Sequence, residues 1–162
     1  MGSTGDALEL FHPAVAEWFR HSFPEPTPPQ AQGWPAIAQG QSTLILAPTG
    51  SGKTLTAFLW CINRLMFEAA PDRGRRCRVL YVSPLKALAV DIERNLRAPL
   101  AGIANRADAR GDVYQSPAIA VRTGDTPAIE RARFQRDPSD ILITTPESLY
   151  LLLTSNAREA LR

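Results

Sequence analysis

The sequence predicts an α/β fold, a parallel sheet flanked by helices with a helical segment ahead of it, and three observations lead there. Short apolar or β-branched runs at Thr43–Leu46, Arg78–Val82, Ala118–Arg122 and Asp140–Thr144 alternate with stretches of helical length. Each run stops in a short polar segment rich in Ser, Thr, Pro and Gly. The first run passes through a glycine-rich turn straight into a helix-forming stretch.

Taken in order, Pro13–Phe23 carries apolar residues at helical spacing (Val15, Trp18, Phe19), and a second short helix is expected over Pro29–Ala38, interrupted or restarted near Pro35. Strand Thr43–Leu46, helix Lys53–Phe67 and strand Arg78–Val82 follow as a first βαβ unit, the last strand apolar enough to be central. A helix is expected from Leu85 to about Leu96, with Pro99 ending or kinking it, then a polar loop over Asn105–Ser116. Strand Ala118–Arg122 leads to helix Thr126–Phe134, with Thr126 as N-cap and Pro127 in the first turn. Strand Asp140–Thr144 then leads to a helix opening at Pro146 and reaching Leu153.

With 162 residues, 44% of them hydrophobic, one domain with a sizeable core is expected. A formal charge of +2 does not by itself imply nucleic acid, and the run Arg73, Arg75, Arg76, Arg78 reads as a solvated loop. Cys61 and Cys77 lack CxxC spacing and nearby histidines, so neither a zinc site nor a disulfide framework is indicated. The start of the chain is small and polar, and no apolar stretch approaches a membrane span, so no membrane partner and a cytoplasmic location are expected.

Ala47-Pro48-Thr49-Gly50-Ser51-Gly52-Lys53-Thr54 carries the strongest chemical signal. A strand running into a glycine turn and then a helix aims backbone N–H groups and the positive end of a helix dipole at one point, an arrangement suited to polyphosphate. Gly50 and Gly52 permit positive φ, Lys53 reaches the β- and γ-phosphates, and the Thr54 hydroxyl offers a Mg²⁺ position, so a Mg-nucleotide is expected. Ala47 departs from the general phosphate-loop pattern, which has glycine there. Only Lys53 and Lys86 of the 18 basic residues are lysines, and a compact ammonium suits this role better than a guanidinium.

In open parallel sheets ligands bind beyond the carboxyl ends of the strands. Three of the runs end in Ser83-Pro84-Leu85-Lys86-Ala87-Leu88, Thr123-Gly124-Asp125-Thr126 and Thr145-Pro146-Glu147-Ser148, which should share one edge. They offer hydroxyls and fresh helix N-termini, groups that hold phosphates without reading bases.

The succession Pro26-Thr27-Pro28-Pro29-Gln30, Ala47–Thr54, Ser83–Leu88, Arg122–Thr126 and Thr144–Leu149 resembles the first RecA-like motor domain of superfamily 2 nucleic-acid helicases, and within them the Lhr (large helicase-related) group. The resemblance covers Phe11–Arg162, and in that group alanine at position 47 is usual. It implies a helical segment with an adenine-recognising Q-like motif over 1–40 and a RecA-like ATP-binding domain over 41–162.

Gln30 is then expected to read adenine through an amide that donates and accepts, with Phe23, or less favourably Phe19, as an aromatic face for the base. By the same resemblance Pro48, Thr49, Gly50, Ser51, Gly52, Lys53 and Thr54 are expected to hold ATP and Mg²⁺, with Lys53 and Thr54 the catalytic pair. Pro84, Leu85, Lys86, Arg122, Thr123, Gly124, Asp125, Thr145, Pro146, Glu147 and Ser148 are expected to hold a single strand of DNA or of an RNA–DNA hybrid. An ion pair with Asp125 or a neighbouring carboxylate is an equally good account of Arg122.

The acidic strand that carries Mg²⁺ in this family does not occur in the chain, nor does the second motor domain that completes the ATP site. An N-terminal portion of a larger helicase is therefore expected, binding ATP weakly by itself, with an incompletely covered apolar helix face around Leu149–Leu153. The competing readings are a small-molecule P-loop kinase or nucleotide sensor and a non-catalytic nucleic-acid-binding module.

Overall fold

A computed structural model of the chain describes residues 6–72 and 75–161; Arg73 of the expected basic run lies outside them. By its contacts the chain forms two compact units, one of Met1–Glu68 with Pro99–Gln115, the other of Ala69–Ala98 with Ser116–Arg162. No helix among the described residues is long and apolar enough to cross a membrane.

The first unit is helical. A 3-10 turn (Ala7–Leu10) is followed by α1 (Pro13–Ser22), α2 (Pro28–Ala38) and α3 (Lys53–Phe67). Proline at the first position of α1 and α2 presets φ where an N–H has no partner to lose. Ala14, Val15 and Phe19 of α1, Trp34 of α2, and Phe58, Leu59, Ile62, Leu65 and Met66 of α3 are buried at helical spacing. Burying each of the larger side chains contributes about 1.5–3 kcal/mol. Trp34 sits edge-on to Phe11 and Phe19, with ring centroids 4.9 and 5.4 Å away, and its buried Nε1–H donates to the Thr56 carbonyl at 3.2 Å. Gly33 lets α2 approach closely, since a Cβ there would lie 3.1 Å from Thr56 Cγ2 and 3.3 Å from Ile45 Cδ1.

The second unit holds a three-stranded parallel sheet in the order β1 (Val79–Val82), β3 (Ile141–Thr144), β2 (Ile119–Arg122). Val79 and Ile119 both register with Ile141, and Val82 and Arg122 with Thr144, so the three strands end level. β3 is buried along its whole length and is the central strand. The helices are α4 (Lys86–Arg110), whose first half belongs here, α5 (Ala128–Arg136) and α6 (Pro146–Leu153), followed by a 3-10 segment (Asn156–Leu161). Phe134, Leu142, Leu152, Ala157 and Ala160 form its core cluster. At the amino end of the sheet the buried Asp140 carboxylate accepts from the Ala118 N–H at 2.8 Å and pairs with Arg76 at 3.2 Å and Arg78 at 3.7 Å.

Several expectations are corrected. Thr43–Leu46 forms no strand among the described residues, so the first expected βαβ unit does not appear. The segment alternates, with Ile45 half-buried and Leu44 and Leu46 82% and 85% exposed, yet it has no ladder partner, and a strand exists only as a member of a pair. β1 is an edge, not the centre, because β3 inserts between it and β2. Neither Pro35 nor Pro99 breaks its helix. Buried Ala89, Ile92, Leu96, Pro99, Ile103 and Ala107 make one stripe at helical spacing, and its burial outweighs the roughly 3 kcal/mol that an interior proline costs. The helix accordingly runs to Arg110, into the expected loop. The N-cap of α5 is Pro127, not Thr126, whose hydroxyl instead accepts from the Thr123 N–H at 2.8 Å.

Candidate nucleotide and nucleic-acid sites

The candidate nucleotide residues lie in the first unit. Gly50 and Gly52 have φ of 84° and 81°, the left-handed region that disfavours a side chain, and they turn the chain into α3. Gly52 is the N-cap of α3, has no capping side chain, and no acidic residue follows in the first turn. The positive end of α3 therefore has no side-chain cap and no acidic side chain in its first turn to offset it. Lys53 Nζ folds back on its own loop, donating to the carbonyls of Ala47 at 2.5 Å and Pro48 at 2.6 Å. Ser51 Oγ is buried without a hydrogen-bond partner, although a hydroxyl ordinarily finds one. An orphaned hydroxyl, a bare helix N-terminus and a lysine resting on carbonyls fit an anionic ligand with several oxygens. Thr54 is exposed at the second helical position, available to a cation held beside such a ligand.

Gln30 is in direct contact with that loop. It is 3% exposed, and a Cβ on Gly52 would meet its Nε2 at 2.6 Å. Its Oε1 accepts from the Thr27 N–H at 2.9 Å, while Thr27 Oγ1 donates to the Ser51 carbonyl at 2.9 Å. Thr27 thus joins the candidates by tying Gln30 to the loop, and Thr-x-x-Gln is a capping-box pattern legible in the sequence. Phe19 is buried among Trp18, Phe23 and Trp34 and belongs to the core, whereas Phe23 is 39% exposed.

The nucleic-acid candidates all lie in the second unit, each group directly after a strand whose end is level with its neighbours. Pro84, Leu85, Lys86, Gly124, Asp125, Pro146 and Glu147 are exposed there, while Thr145 and Ser148 are buried and their hydroxyls meet at 3.2 Å. Thr123 and Arg122 are half-buried. Lys86 Nζ, rather than Arg122, pairs with Asp125, at 2.8 and 2.9 Å to the two carboxylate oxygens. Arg122 Nη1 is buried without a partner, and burial together with Arg131 pushes its guanidinium pKa down. Neither α5 nor α6 has a side-chain cap at its N-terminus, so the exposed lip offers backbone N–H groups more than side-chain charge. Tyr150, Leu151 and Leu153 of α6 are 67%, 59% and 50% exposed, as expected of the helix face at 149–153.

The DEAD/DEAH box helicase family model matches residues 27–162. The chain is 54% identical over 156 residues to the Lhr helicase/probable uracil glycosylase of Mycolicibacterium smegmatis and 50% identical over 159 residues to the Lhr helicase/uracil glycosylase of Escherichia coli. These alignments cover 96% and 95% of the chain but 10% of each relative, so the chain spans about a tenth of their length. Among solved structures, the Mycobacterium smegmatis helicase Lhr bound to ssDNA and AMP-PNP matches with a TM-score of 0.90 and 53% identity, over 96% of this chain and 19% of that one. The family model spans all the segments from Gln30 to those after β1, β2 and β3, and the chain belongs to the DEAD/DEAH box helicase family, with Lhr helicases as its relatives.

Proposed function

We propose that this chain is the ATP-binding part of the motor of an Lhr-like helicase, with residues 1–40 supplying adenine recognition and 41–162 the RecA-like domain. The carrying observation is the loop Gly50–Thr54, with two glycines at positive φ, an orphaned Ser51 hydroxyl and Gln30 packed against Gly52. Pro48 to Thr54 wrap the triphosphate, the α3 N–H groups and Lys53 meet its oxygens, and the Gln30 Nε2–H donates to the adenine edge while Oε1, which keeps the Thr27 N–H on one lone pair, accepts from the adenine amino group on the other. Binding moves the Lys53 ammonium from the carbonyls of Ala47 and Pro48 to the β- and γ-phosphates. Thr54 would hold Mg²⁺, which when bound would supply charge neutralisation for phosphoryl transfer.

Pro84, Leu85, Lys86, Arg122, Thr123, Gly124, Asp125, Thr145, Pro146, Glu147 and Ser148 form the lip that holds the sugar-phosphate chain of a single strand of DNA or of an RNA–DNA hybrid, chiefly through backbone N–H groups. Hydrolysis and translocation then require a second motor domain in the whole protein. The small-molecule kinase reading is disfavoured by the family match over 27–162. The test is ATP hydrolysis by the whole protein with and without a single-stranded oligonucleotide. Lys53→Ala should lower the stimulated rate by about 10²-fold or more. Hydrolysis indifferent to both the oligonucleotide and the substitution would overturn the proposal.

A further inference from the structure

A cavity of about 330 Å³ lies in the second unit along the whole of β2, reaching Arg122 at its carboxyl end. One wall is the segment Ala118 to Arg122, and α5 contributes Glu130, Arg131, Arg133 and Phe134. β2 pairs only with β3, so its other edge is free among the described residues. The Ile141 N–H donates to the Ala118 carbonyl at 3.0 Å, and in a parallel ladder this turns Ala118, Ala120 and Arg122 towards β3 and leaves the N–H and C=O of Ile119 and Val121 facing outward. The Val121 carbonyl takes only a long contact, 3.4 Å, from Thr126 Oγ1. Such an edge is a template for another strand.

Four arginines line the cavity (Arg76, Arg122, Arg131, Arg133) against two carboxylates, Glu130 and Asp137. Arg76 is engaged by Asp140 and Asp137, and Arg131 spends its Nε–H on the Thr126 carbonyl at 2.8 Å. Arg122 Nη1 is buried with no acceptor, with Arg131 beside it as a like charge. Two neighbouring guanidinium groups without a shared carboxylate favour an incoming anion. A free phosphate would satisfy the arginines but leave the outward backbone groups unused. An extended peptide satisfies both.

We propose that the free edge of β2 docks an extended acidic segment of a partner protein, which adds a strand there and sets alternate carboxylates against Arg122 and Arg131. Strand addition supplies affinity through the Ile119 and Val121 backbone, and the arginines select acidic side chains on one face of the guest.

The probe is a fluorescent peptide of alternating Val and Glu, titrated into the protein by anisotropy, with a copy N-methylated at every second residue. The parent peptide should bind, more weakly as salt rises, and the N-methylated copy should not. Arg131→Glu should weaken binding by at least about tenfold. Val121→Pro should do the same, and because that N–H is outside the β2–β3 ladder the substitution suits an edge strand. Equal binding of the N-methylated copy overturns the proposal without recourse to any variant, so it stands even if Val121→Pro fails to fold. A single-stranded oligonucleotide that depends on Arg131 while the peptide does not bind would make the cavity a nucleic-acid phosphate site and likewise overturn it.

Discussion

The glycine loop of the first unit and the strand-end lip of the second are built from the same residue types, Gly, Ser, Thr, Pro and Lys, yet they dispose of their polar atoms in opposite ways. In the loop those atoms are left unspent or turned on the loop itself: Ser51 Oγ has no partner, the α3 N-terminus has no side-chain cap, and Lys53 donates to carbonyls of its own loop. At the lip they are committed: Lys86 is held by Asp125, Thr145 by Ser148, and Thr144 Oγ1 donates to the Arg122 carbonyl at 2.7 Å. A loop kept open by backbone conformation awaits a ligand that supplies every missing partner. A lip tied together by its side chains presents a rigid surface and leaves recognition to backbone N–H groups.

The largest effect should come from breaking the commitment of the second unit at its other end. Asp140 joins Arg76, Arg78 and the Ala118 N–H, and Asp140→Ala takes the buried acceptor from two half-buried guanidinium groups and a half-buried donor at once. A loss of about 3 kcal/mol is expected from the denaturant midpoint. A change below about 1 kcal/mol would show that the sheet is held by its apolar cluster alone.

Glycine sharpens the comparison, because the same substitution should act differently in the two regions. Gly52→Ala forces a side chain into φ 81° with its Cβ 2.6 Å from Gln30 Nε2, costing about 1–3 kcal/mol and most of the nucleotide affinity. Gly124→Ala would meet only the flexible end of Lys86, at 3.4 Å, and should fall within about 0.5 kcal/mol of the parent. Thermal unfolding and nucleotide titration of the pair decide it, and equal effects would remove the distinction between open loop and tied lip.

Asp125→Ala tests commitment from the other side. Both members of its pair with Lys86 are more than half exposed, so stability should change by less than about 1 kcal/mol. Freed of the carboxylate, Lys86 can reach a phosphate, and single-strand binding should tighten with a salt slope steeper by about one. An unchanged slope would place Lys86 outside the interface.

How far the sequence is legible follows the same division. The loop and helix Lys53–Phe67 are readable because glycine conformation, apolar spacing and the loop pattern are all local. Thr43–Leu46 reads as a strand from its residues, but pairing is not local and the structure gives it no partner among the described residues. Pro99 misleads in the opposite direction, since its intrinsic preference loses to a buried stripe running from Ala89 to Ala107. The Lys86–Asp125 pair joins residues far apart in sequence, and Arg131 enters a site only because α5 folds back on β2. Charge partners chosen by tertiary proximity are invisible to spacing.

The smallest effect concerns a third kind of polar group, one held neutral by its surroundings. His12 stacks on Phe67 with ring centroids 3.7 Å apart, and its Nδ1 accepts from the Ala14 N–H at 3.3 Å as the cap of α1. Burial lowers its pKa from the ordinary 6.5, against an opposing pull from Asp112 and a smaller push from Arg110. A base with a depressed folded pKa binds fewer protons folded than unfolded, so its contribution is complete above about pH 6.5 and fades as pH falls through the lowered value. Melting temperature should therefore drop by no more than about 2 °C across that window. His12→Asn keeps a capping acceptor and should flatten the dependence. A slope that survives the substitution would show that His12 is not its source; Asp6, lowered by its hydrogen bond to Arg20, loses its contribution only in the more acidic range below about pH 4.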